Sequence, residues 1–72
     1  MASDRAVRKG IACLKRETQG RRIIASSATD LKEMIGVPNI GHRPLIEILD
    51  KMRRSHEISG YSVGHGQSYI QV

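Results

Sequence analysis

Four side chains of this 72-residue chain are natural metal ligands: Cys13, His42, His56 and His65. Zinc and similar ions draw their ligands in close pairs along the chain, because one turn or loop must aim two side chains at one point. None of the four stands at C-x-x-C or H-x-x-x-H spacing, so the histidines read as scattered surface groups and no metal is expected. Cys13 has no partner for an intrachain disulfide and reads as a small core hydrophobe. Ser26, Ser27, Ser55, Ser59, Ser62 and Ser68 have no base associated with them in sequence, and capping or turn roles account for several. Gly60, Gly64 and Gly66 fall in a β-rich run, not between a strand and a helix as a phosphate-cradling loop requires. Glu47 and Asp50 stand i, i+3 on a helical pattern, a spacing that brings two carboxylates together. A solvated helix face explains that pair more simply than acid–base work. The expectation is a protein without catalytic residues or cofactor, a binder and not an enzyme.

Charge points to what it binds. Twelve Lys and Arg stand against seven Asp and Glu, for a net charge of +5 and a pI near 10.0. The excess lies in residues 1–22, which hold Arg5, Arg8, Lys9, Lys15, Arg16, Arg21 and Arg22 against Asp4 and Glu17. Five more of each sign cancel over residues 23–58, and residues 59–72 carry no formal charge. Like charge concentrated in this way suits a polyanion, nucleic acid before an anionic membrane surface. Two tyrosines are the only aromatic residues, too few for a platform that stacks single-stranded bases. No apolar run approaches the ~20 residues of a membrane span, and no secretory signal is visible. The sequence reads as an intracellular protein of cytoplasm, nucleoid or nucleus, with no membrane partner.

These groups need elements to position them. A chain of this length buries only about 60% of its unfolded surface, so it forms one small domain, 1–72, in which each apolar residue matters. Ser3 is placed to cap a first helix over 4–19, where Val7, Ile11, Leu14 and Thr18 recur as one stripe and Gly20 suits the left-handed position after the end. Gly10 weakens that helix by up to ~1 kcal/mol relative to alanine, which suggests close packing there. Ile23 and Ile24 read as a short strand within 21–26. Ser27-x-x-Asp30 opens a helix over 28–35 with Leu31, Met34 and Ile35 on one side and Gly36 as its stop. Pro44 suits the first position of a third helix, 44–55, on which Leu45, Ile48, Leu49 and Met52 make the clearest amphipathic pattern. Two β-rich runs about Gly64-His65-Gly66 read as an antiparallel hairpin over 57–72, to whose edge Ile23–Ile24 can pair.

Residues 27–37, SATDLKEMIGV, resemble the second helix of a helix-turn-helix. Residues 45–58, LIEILDKMRRSHEI, resemble the third helix of a winged-helix domain, with 58–72 in the place of the wing. The implied fold class is α+β: a small winged helix-turn-helix of three helices, a C-terminal β-hairpin wing and a short strand between helices one and two. Two features depart from the pattern. The turn Val37–Pro44 is longer than the usual three or four residues, and Lys32 stands where many members have a small alanine.

The resemblance implies that the third helix enters the major groove of duplex DNA, in transcriptional regulation or replication. It places His42 and Arg43 at the start of that helix and Ile46, Glu47 and Asp50 along its outward side. Arg43 would read guanine, a contact worth ~1–3 kcal/mol of discrimination, and Glu47 can accept from cytosine. Arg5, Arg8, Lys9, Arg21 and Arg22 are the candidates for holding phosphates, which position without specifying. Lys32, Asn39, His65 and Gln67 complete the candidate nucleic-acid set. The left-handed-duplex subfamily does not fit, because only the arginine of its Asn-Arg pair survives here. Alternatives are a winged helix used for protein contact, in a homodimer or a larger complex, and an RNA- or ribosome-binding protein that reads shape through its basic first helix.

Overall fold

The computed structural model describes residues 2–64 and 66–72, and of residues 2 and 3 the backbone alone. It is a small α+β protein with the order α1 (Ala2–Glu17), β1 (Ile23–Ala25), α2 (Ala28–Ile35), α3 (His42–Arg54), β2 (Gly60–Ser62) and β3 (Ser68–Gln71). The strands form one antiparallel sheet in the order β1-β3-β2. The last strand is therefore central, and β1 pairs with the hairpin as its isoleucines predict.

Each helix ends by the same device at a different residue. At the end of α1, Gly20 N–H donates to Lys15 carbonyl at 2.9 Å and Gln19 N–H to Arg16 carbonyl at 3.2 Å. This is a Schellman closure, and its left-handed residue is Gln19 (φ 58), one position before the expected Gly20, which follows at φ 82. Gly36 (φ 93) closes α2, with Val37 N–H on Lys32 carbonyl at 2.9 Å. For α3 the left-handed residue is His56 (φ 66), with Glu57 N–H on Met52 carbonyl at 2.8 Å.

The starts differ more from expectation. The first helix begins at Ala2, so Ser3 lies inside it and not before it. Ser27 does cap α2, accepting from Asp30 N–H at 3.1 Å, while the Asp30 carboxylate reaches back to Ser26 N–H at 3.2 Å. α3 starts two residues earlier than expected, at His42, which puts Pro44 in the third helical position. Proline is tolerated there because the first four N–H groups of a helix have no intrahelical acceptor. The first N–H to bond along the helix is that of Leu45, to Gly41 carbonyl at 3.2 Å. A side chain at Gly41 would stand 3.3 Å from the Pro44 ring.

The core is one cluster. Val7 and Ile11 of α1, Leu31 and Ile35 of α2, and Leu45, Ile48, Leu49 and Met52 of α3 pack with Ile23, Ala25, Ile58 and Ile70. Across the sheet Ile23, Ile70 and Tyr61 lie in register on the packed face, and Ile24, Tyr69 and Ser62 on the other. Gly10 fulfils the expectation of close packing: a Cβ there would sit 2.0 Å from the Ile35 carbonyl oxygen and 2.8 Å from its Cγ2. α1 therefore rests directly on the end of α2.

Two assignments of core residues fail. Met34 is 39% exposed, because it lies about 80° around α2 from the line of Leu31 and Ile35, and two turns bury only that line. Cys13 is exposed, with its sulfur 3.7 Å from a Glu17 carboxylate oxygen. Around α1 it sits about 100° from Leu14 and about 160° from Ile11, off the buried stripe.

Candidate functional site

The outward face of α3 follows from its buried one. Leu45, Ile48, Leu49 and Met52 take one side, so helical spacing sends Arg43, Glu47, Asp50 and Arg54 to the other. Arg43, Glu47 and Arg54 are exposed and Asp50 is half-buried. Asp50 accepts from Arg53 Nη2 at 3.0 Å on one oxygen and from Arg54 Nη2 at 2.9 Å on the other. Exposed pairs of this kind are worth at most about 1 kcal/mol, so the two arginines are restrained but available. Arg53 and Arg54 are not among the candidates nominated from the sequence. The recurrence Arg43, Glu47, Asp50, Arg54 at i, i+4, i+7, i+11 was the signal that places Arg54 on this face.

The remaining candidates on this side spread out. His42 is exposed in the first turn of α3, and Asn39 is exposed in the turn before it. Asn39 lines an open groove with Ile40, Gly41, Pro44, Glu47, Asp4 and Lys51. Ile46 is half-buried beside the outward row, and Lys32 is half-buried on α2. Gln67 is exposed near the hairpin tip, and His65 lies outside the described residues.

The basic N-terminal third divides into groups with different surroundings. Arg8, expected on phosphate, is engaged within the protein: its guanidinium pairs with Asp4 one turn back and with Glu57, beyond α3. The hydrogen bond to Asp4 and the charges of both carboxylates raise its pKa above the ordinary arginine value, while partial desolvation opposes them. Ser55 Oγ donates to the same Glu57 carboxylate at 2.6 Å, and Lys51 Nζ lies 3.9 Å from Asp4. Together these groups form a seam of mixed charge between α1 and the C-terminal half of α3.

Arg5 and Lys9 are exposed, and Arg16 joins them one helix stretch later. The three lie within about 40° of one another on α1, nearly opposite its buried stripe. Among the described residues no ion pair involves any of them. Arg21 is exposed in the link to β1. Arg22 lies on the outer face of the sheet, its Nε donating to Gln71 Oε1 at 2.9 Å and its guanidinium 4.6 Å from the Tyr69 ring centre. Ile24, 52% exposed, neighbours Tyr69 on that face.

Among the described residues, no three His, Cys, Asp or Glu side chains converge in a way that could hold a metal ion. Among the described residues no helix is long and apolar enough to cross a membrane. What the geometry offers is a mixed-charge face on α3 and a row of cations on α1. No protein-family model, curated protein or solved structure matches the chain.

Proposed function

We propose that the chain is a winged helix-turn-helix module that binds nucleic acid, duplex DNA foremost, acting in transcriptional regulation or replication without catalysis of its own. The element order and the sheet order β1-β3-β2 suit that arrangement, with α2 and α3 as the paired helices and β2–β3 as the wing. The observation that carries the reading is the outward row of α3. Arg43 and Arg54 stand about 16 Å apart along the axis, at 1.5 Å per residue, on a face with no part in the core. A major groove about 12 Å wide admits such a helix. Arg43, exposed in the first turn, is the residue assigned to base reading. Arg53 and Arg54 would exchange Asp50 for phosphate oxygens at the groove edge, and Glu47 disfavours a phosphate at the centre of the face, which orients the helix.

Binding of labelled duplex, single strand and structured RNA, each measured at low and moderate salt, tests this. Duplex should bind tightest, with affinity falling steeply as salt rises because counterions are released from each phosphate contacted. In a duplex pool selected for tight binding, Arg43→Ala should reduce preference by ~1–3 kcal/mol at one position. A salt-independent affinity, or a preference for structured RNA, would overturn the duplex reading. The exposed Ile24 beside Tyr69 favours a second reading, contact with a protein partner through the sheet; that surface would then bind with little salt dependence.

A further inference from the structure

We propose that the outer face of α1 is a second phosphodiester-binding surface, so that one copy of the protein holds two nucleic-acid segments at once. This rests on the reading of α3 as the first such surface. The geometry of α1 gives three of its cations one common direction. Val7, Ile11 and Leu14 face the core. Gly10, on one flank, lies against the Ile35 backbone of α2. Asp4 and Arg8, on the other flank, are tied to Lys51 and Glu57 at the α3 side. Arg5, Lys9 and Arg16 occupy the one remaining quarter, directed away from α2, α3 and the core alike.

The outward row of α3 is likewise directed away from that core, so the two surfaces diverge. Between them lies the seam of Asp4, Arg8, Lys51 and Glu57, two positive and two negative groups that cancel. On this proposal a straight duplex seated on α3 meets the neutral seam, so Arg5 and Lys9, expected from the sequence on the phosphates of that duplex, serve a second one instead. The α1 row runs about 16 Å from Arg5 to Arg16. Over that length a duplex presents several phosphates, at one charge per ~1.7 Å of axis for both strands together. Ala12, exposed between Lys9 and Arg16, leaves room for a backbone to approach. A polyanion is the partner that three outward cations without a carboxylate among them would select.

The test immobilises one short duplex and asks whether the full 72-residue protein captures a second, labelled duplex, with sedimentation giving the mass of the free protein. Capture by a monomeric protein is expected. The combined variant Arg5→Gln, Lys9→Gln, Arg16→Gln should lower capture at least about ten-fold. Its affinity for a single duplex should fall no more than about three-fold, the remnant of long-range attraction. The variant Arg5→Lys, Arg16→Lys keeps the charges and should retain capture, which separates charge loss from misfolding. Tight single-duplex binding without capture would overturn this proposal and leave the α3 reading standing. So would capture that the glutamine variant leaves intact, or capture that arises only because the free protein is a dimer. If single-duplex affinity and capture fall together by the same factor, α1 belongs to the footprint of one duplex and the proposal is lost. No binding to any duplex would sink both readings.

Discussion

α1 and α3 are both amphipathic helices that press one stripe into the same core, yet the outer face of α1 is uniformly positive and that of α3 is mixed. On α3 the cations come with acids: Asp50 holds Arg53 and Arg54, and Glu47 stands one turn after Arg43. On α1 the outer row Arg5, Lys9 and Arg16 has no carboxylate among it, and the helix's one paired arginine, Arg8, is turned to the seam with α3. The difference teaches that net charge need not coincide with the face proposed to read bases. The fold concentrates uncompensated charge on the helix that rests on α2, and gives the helix after the turn a mixed face better suited to discrimination than to attraction.

The two helices are also held differently, and substitutions can sharpen or break the contrast. α3 is held by volume. Met52→Ala removes a buried side chain and should cost ~2–5 kcal/mol in a denaturant titration; a near-neutral result would mean that α3 is not packed as described. α1 adds to its buried stripe a close approach to α2 at Gly10. Gly10→Ala gains helix propensity but drives a methyl group into the Ile35 carbonyl. It should destabilise by ~1–3 kcal/mol as an overpacked site. A stabilised variant would show that α1 and α2 are further apart than this.

The smaller effects concern the ends and the seam. His56 adopts a left-handed conformation that costs a side-chain-bearing residue ~1–2 kcal/mol. His56→Gly should recover part of that, about 0.5–1 kcal/mol after glycine's own entropy cost, as a rise in Tm. A fall in Tm would assign the imidazole a contact of its own. Arg8→Gln should lower Tm slightly and leave duplex affinity where it was, since Asp4 and Glu57 already occupy the guanidinium. If single-duplex affinity drops by about ten-fold or more, Arg8 reaches phosphate despite its partners.

Much of this architecture is written locally. Ser27 and Gly36 bound α2 at Ala28–Ile35 because a hydroxyl cap and a left-handed stop act within a few residues. Gly10 is legible as an anomaly, a weak helix former in the middle of a good helix. Ile23 and Ile24 announce a strand. Other features could not be read that way. Gln19 and His56 take left-handed positions usually given to glycine or asparagine, so composition points elsewhere. Met34 follows an apolar pattern over only two turns, too short for spacing to distinguish the centre of a stripe from its edge.

The local alphabet of caps, stops and periodic apolar residues determines which segments are helix and strand, because those preferences act between neighbours in the chain. Even the outward rows of α1 and α3 follow from it once each buried stripe is known. Which cations are left to meet a partner is decided only in three dimensions. Arg8 and Glu57 are separated by 49 positions and meet because the turn at His56 brings the chain back beside α1. Coulomb attraction depends on distance through space, and nothing in the spacing of residues along the chain records it.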